Sequence, residues 1–197
     1  MRGSLHGQPR GAAPALHRLL LAMLALLACG VAQARDPVVV QSAFVNVRGS
    51  VFELNAHTVF PLNDDVRTAL EDGATISLEL RAVVDRNRRY WFDATLVDIT
   101  LKRELSWNAV SQRYILQQTD RAEQQSFVAL DQALAAAGEV QSWPVVVEPQ
   151  LDPESTYAIR VRAAVRRGRM PDALRKLIFW SDSWSRSSEW YSWILPR

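Results

Sequence analysis

Trp180, Trp184, Trp190, Tyr191 and Trp193 fall within fourteen residues near the C-terminus, interleaved with serines and with Arg186 and Glu189. Aromatic side chains gathered this densely do one of three things. They fill a core, each burying a large apolar area. They stack on sugar rings or anchor a protein partner as interface hot spots. Or they sit at a membrane interface. Alternation along a strand sets Trp190, Ser192 and Ile194 against Tyr191, Trp193 and Leu195, so one face cannot take every ring inside. The expectation is a core contribution with one or two rings exposed, and Trp184, Trp190 and Trp193 are the candidates for binding.

The second cluster is basic. Arg160, Arg162 and Arg166 share one parity, with Arg167 and Arg169 following. Such a row can meet anionic lipid heads, cell-wall carboxylates or an acidic partner. The plainer reading is cross-strand pairing with acidic neighbours such as Glu79.

Catalytic groups are sparse. No Gly-x-Ser-x-Gly elbow stands among the serines of 181–192. Asp85, Asp93 and Asp98 offer carboxylates for a hydrolase, as any wet sheet face does. Asp64-Asp65 and Glu71-Asp72 are conceivable carboxylate pairs, but a calcium loop needs several oxygens in register with a glycine, and these pairs flank a short helix and read as capping and solvated residues. No catalytic residue, metal site or cofactor is assigned.

The first 34 residues account for much of that scarcity. Arg2, Arg10 and Arg18 precede the apolar run Leu19–Ala28, and Ala32-Gln33-Ala34 supplies the small-x-small pattern of an export signal. Cleavage is predicted after Ala34, leaving residues 35–197 as one domain and placing the protein in the periplasm or outside the cell. One alternative is acylation of Cys29 within Leu26-Leu27-Ala28-Cys29-Gly30, and another is retention of the apolar run as an anchor; either would tether the protein to a membrane. Cleavage removes the one cysteine and two of the 3 histidines, leaving His57. Thiol chemistry and zinc-thiolate sites are then excluded. Lys+Arg falls from 23 to 20 against 21 acidic residues, a net charge of about −1, which argues against a nucleic-acid partner. No later stretch is long and apolar enough to cross a membrane.

The elements that must position these residues are mostly strands. Phe52, Leu54, Ala56 and Phe60, then Ile76 to Val84, then Tyr157 to Val165, alternate apolar with polar residues, the mark of half-buried antiparallel strands with one wet face. Residues 90–103 change phase: Phe92, Ala94 and Leu96 have one parity, Val97, Ile99 and Leu101 the other. A β-bulge near 95–97 reconciles them. Residues 112–118, 143–148 and 177–182 are weaker strands. Two short helices are expected. One runs from a cap at Asn63 or Asp64 to Asp72 and stops at Gly73. The other spans 124–137, with Phe127, Leu130 and Leu134 as its buried stripe and Gly138 after it. Pro171 with Asp172 could start a single turn through Lys176, since proline suits a first helical position.

Leu151-Asp152-Pro153-Glu154-Ser155-Thr156-Tyr157 resembles the tyrosine corner of fibronectin type III domains, in which the hydroxyl of Tyr157 would return to upstream backbone. Leu151, Pro153 and Tyr157 are the corner residues. More widely, Arg88-Arg89-Tyr90-Trp91, Leu105 to Tyr114, Phe127 to Leu134, and Pro171-x-x-Leu174 through Trp184, Ser188, Trp190 and Trp193 resemble the proteobacterial domain of unknown function 4390 family. The resemblance implies an exported protein without an assigned activity, in some members encoded beside a membrane sensor kinase, and it carries over no catalytic residue. Arg166-Arg167-Gly168-Arg169 departs from the acidic-apolar turn expected there. The fold expected is an antiparallel β-sandwich of immunoglobulin or fibronectin type with two short helices. The function expected is a non-enzymatic envelope module that binds another protein, with cell-wall glycan binding as the alternative.

Overall fold

The computed structural model describes residues 37–61, 64–87, 94–119, 123–169 and 185–195. The expected export signal and cleavage point, Cys29, Asn63, Asp93, Trp180, Trp184, residues 88–91, the expected turn after Pro171 and the expected strand at 177–182 lie outside them.

The chain is mainly β. Its elements are β1 (Val39–Arg48), β2 (Val51–Val59), α1 (Asp64–Glu71), β3 (Ile76–Arg86), β4 (Ala94–Asn108), β5 (Arg113–Gln118), β6 (Gln124–Phe127), α2 (Leu130–Gly138), β7 (Glu139–Val147), β8 (Tyr157–Arg167), β9 (Arg186–Ser187) and β10 (Tyr191–Ile194). A narrow sheet has the order β1-β2-β7 and a wide one the order β10-β8-β3-β4-β5-β6, with β9 also on β8. Every pairing is antiparallel. The inward residues of both sheets form one core, with Leu54, Ile76, Leu105, Leu130 and Ile159 fully buried.

Alternation decides which side chains enter that core. Phe52, Leu54 and Ala56 of β2 are buried between half-exposed Glu53, Asn55 and His57. The phase change in β4 is a bulge at the expected place: Val84 faces Val97 and Asp85 faces Thr95, leaving Leu96 as the extra residue. One extra residue reverses the facing, so Val97, Ile99 and Leu101 turn inward after it. α1 ends as its glycine requires, with Gly73 at φ 91 and its N–H donating to the Leu70 carbonyl at 3.0 Å.

Two expectations are corrected. Residues 124–127 are strand β6, paired with β5, and the second helix starts only at Leu130. Gln124, Gln125 and Ser126 lose little as a short edge strand, and their backbone groups gain partners on β5 that a first helical turn would leave open. Gly138 belongs to the helix, whose last turn runs straight into β7. The outer face of β3 is not uniformly wet either: Ser77, Val83 and Asp85 are buried. Val83 lies opposite Arg160 and Asp98, and long arginine stems cover apolar surface while keeping their charged ends in water.

The sheets differ in width, and this shapes the rest. β1 lies near β8 and β7 near β4, so the narrow sheet covers the β8 to β4 region. α2 packs against β2, β5 and β6 and covers the inner face beyond it.

Candidate functional site

The wide sheet is completed on one side by a broken edge strand. β9 pairs with Ala164 and Val165, and β10 pairs with residues from Ala158 to Val161. Between them the ladder is interrupted at Ser188. Its N–H still donates to the Ala163 carbonyl at 2.8 Å, while its hydroxyl accepts from the Ala163 N–H at 3.0 Å. A side-chain oxygen thus replaces a backbone carbonyl, and Ser188 is buried although polar. The interruption shifts the facing of the residues after Ser188.

Trp190 falls on the outer face as a result. Three guanidinium groups surround its ring, with those of Arg160, Arg162 and Arg81 at 5.0, 5.8 and 5.9 Å from the centroid. Each lies within the reach of a cation–π attraction. Arg81 and Arg162 face each other directly across β3 and β8, a like-charge pair that would repel if bare. The negative face of the indole and two carboxylates offset this. Arg81 is bidentate on Asp98, at 2.7 and 2.5 Å. Arg160 Nε donates to Asp85 at 2.6 Å, and Asp85 also accepts from the Thr95 hydroxyl at 2.7 Å. Arg162 holds the broken edge itself, donating to the Ser188 carbonyl at 2.9 Å and the Ser187 hydroxyl at 2.5 Å. The hydrogen bond from Arg81 holds the Asp98 carboxyl below its usual pKa, against a smaller opposing effect of desolvation.

Arg166 stands apart from the ring and pairs with Glu79 at 2.7 Å. Arg160 and Arg166 thus pair with carboxylates of β3 across the strands, while Arg162 bonds the serines of the broken edge. Trp193 lies on the other face from Trp190, opposite Ile159, and packs against the core with its edge near the Tyr191 ring at 5.7 Å. Tyr191 remains 39% exposed and Ile194 56% exposed. Tyr157 is buried, and its hydroxyl accepts the Asp152 N–H at 2.9 Å, the bond of a tyrosine corner. Pro153 stands in the segment that this bond closes, and Leu151 immediately precedes it. The candidate carboxylates Asp85 and Asp98 are both engaged by arginines. Among the described residues no group of three or more His, Cys, Asp or Glu side chains is placed to hold a metal ion. None of their helices is long and apolar enough to cross a membrane.

A second feature lies where α2 and β7 meet β4, β5 and β6. A cleft of about 410 Å³ opens there. Leu101, Leu116 and Val140 line it, together with Trp143 and the polar residues Arg103, Gln118, Gln125 and Gln141. Arg103 shares the inward parity of Leu101 and Leu105, and Gln118 that of Tyr114 and Leu116. The Nη1 atom of Arg103 lies 3.2, 2.8 and 2.7 Å from the carbonyl oxygens of Ala136, Ala137 and Glu139. A cation from β4 thereby satisfies the end of a helix that has no basic residue in its own last turn. Glu139 is also paired through its carboxylate with Nδ1 of His57. Sequence reading passed over this group. The available signal was polar Arg103 and Gln118 at positions where the strand period puts the core.

No curated protein and no solved structure matches the chain. Residues 35–194 match the domain of unknown function DUF4390, so the chain belongs to that family.

Proposed function

We propose that this protein is an exported, non-catalytic interaction module that docks another envelope protein on the broken edge formed by β9 and β10. One observation carries the reading: Trp190 is held by Arg81, Arg160 and Arg162 on the outer face of an edge segment whose Ile194, and whose Tyr191 on the opposite face, are exposed. Tryptophan, tyrosine and arginine are the residue types that dominate interface hot spots. A ring held in place before binding loses little conformational freedom when a partner covers it. Among the described residues β10 is also the outermost strand on its side of the wide sheet, so backbone groups are available to an added strand. The export signal supports an envelope location. The family resemblance makes the sensor domain of a membrane kinase the first partner to test.

The test is a crosslinking pull-down from the envelope of the native cell, read by mass spectrometry, with the N-terminus of the recovered protein sequenced. The expected result is a membrane protein captured by wild type and lost with Tyr191→Ala combined with Ile194→Ala, and a chain beginning at Arg35. Both positions are exposed, so the fold should survive the change. An unchanged set of captured proteins would remove this edge as the docking surface. A chain beginning at an acylated Cys29 would replace the free periplasmic form with a tethered one.

A further inference from the structure

We infer that the cleft between α2–β7 and β4–β5–β6 is a binding site for a neutral saccharide, separate from the β9–β10 edge. Its volume of about 410 Å³ lies in the range of small-ligand sites. Its composition narrows the ligand. Polar side chains at inward positions of a sheet disfavour a dry core, because their hydrogen-bonding groups need partners. Gln118, Gln125 and Gln141 bring amides that both donate and accept, the pairing that hydroxyl and acetamido groups require. Trp143 and the aliphatic Leu101 and Val140 offer apolar wall. A sugar ring suits this mixture, since its C–H face can lie on the negative face of an indole while its hydroxyls point to the rim.

Charge argues against an anionic ligand. Glu123 and Glu139 both line the cleft, so an anion would be repelled. The cation in its wall, Arg103, has its Nη1 directed to three carbonyl oxygens at the end of α2. The neutral amides leave polar recognition without a net charge on the ligand. The cleft is also built on elements that hold their places: Arg103 fixes the end of α2 from β4, and the helix packs on both sheets. Sites carried on such elements retain the geometry that small ligands need.

The experiment titrates the purified full-length protein with N,N′-diacetylchitobiose, followed by calorimetry and by tryptophan fluorescence. The expected result is saturable heat in wild type. Affinity should fall about tenfold in the Gln118→Ala/Gln125→Ala double variant, as expected for lost hydrogen bonds. Trp143→Phe keeps an apolar ring against the core and should remove the fluorescence change. Tyr191→Ala with Ile194→Ala should bind sugar as wild type does, which separates this site from the docking edge. No heat at millimolar sugar overturns the proposal. Equal binding by the glutamine variant and wild type overturns it too, since the sugar would then sit elsewhere. So does binding of a blocked, uncharged tripeptide in place of the sugar.

Discussion

At the residue scale the tyrosine corner gives the cleanest test. Tyr157 is 4% exposed, and its hydroxyl accepts one backbone N–H, that of Asp152. Phenylalanine keeps the ring and its packing but leaves that N–H to find water. Asp152 is only partly buried, so the loss is that of a single hydrogen bond. Tyr157→Phe is expected to lower stability by about 1 kcal/mol in urea unfolding with an unchanged m-value. A much larger loss would mean that the hydroxyl fixes the whole segment before β8. Trp190 is the contrasting residue. Its ring does not fill the interior but separates three cations on the outer face, so its energetic weight lies in electrostatics more than in buried area.

At the element scale the close contact between α2 and β2 is the most constrained. A Cβ on Gly138 would lie 1.9 Å from the Thr58 carbonyl oxygen and 3.1 Å from its carbonyl carbon. Both atoms are backbone in a paired strand, so neither can move without disturbing the β1–β2 register. Gly138→Ala is expected to cost about 3 kcal/mol, measured by chemical denaturation, despite alanine's better helix propensity. Arg103 then supplies from β4 the positive charge that the helix end lacks, which ties the two sheets together on the side where the cleft opens.

At the scale of the whole molecule the outer face of the wide sheet contributes to the acid response through Asp98. Asp98 titrates lower when folded than when unfolded, first because Arg81 hydrogen-bonds its charged form. Its contribution is complete above the unfolded-state pKa and disappears as pH falls through the folded one. Both side chains are substantially exposed, so the contribution is small and screened by salt. Arg81→Met is expected to return the Asp98 carboxyl towards its ordinary pKa in an NMR titration and to make the acid limb of stability shallower, since Asp98 then titrates alike in the folded and unfolded states. An unmoved Asp98 would show that the pair does not persist in solution. Tyr114 acts at the other end of the scale. Burial and the nearby Glu71 raise its pKa, so its folded form resists ionisation as pH rises past the ordinary tyrosine range.

Sequence alone determined the alternating strands β2, β3, β4 and β8 and their two-sided logic. Period-two alternation is local, so Phe52, Leu54 and Ala56, the β8 row and even the bulge at 95–97 were legible from residue order. Gly73 marked a helix end for the same reason, because one backbone conformation suffices to stop a helix. The split of Trp190 from Trp193 followed from parity, while the partners of each did not. Tertiary structure decided what depends on neighbours distant in sequence. Residues 124–127 became a strand because β5 offered a partner. Gly138 is the last helical residue, and only the fold shows that the Thr58 carbonyl leaves no room for a side chain there. The three arginines converged on one indole because β3 and β8 pair in register beside a broken edge. The cleft exists because a narrow sheet and one short helix leave part of a wider sheet uncovered, a mismatch of widths that no single segment carries.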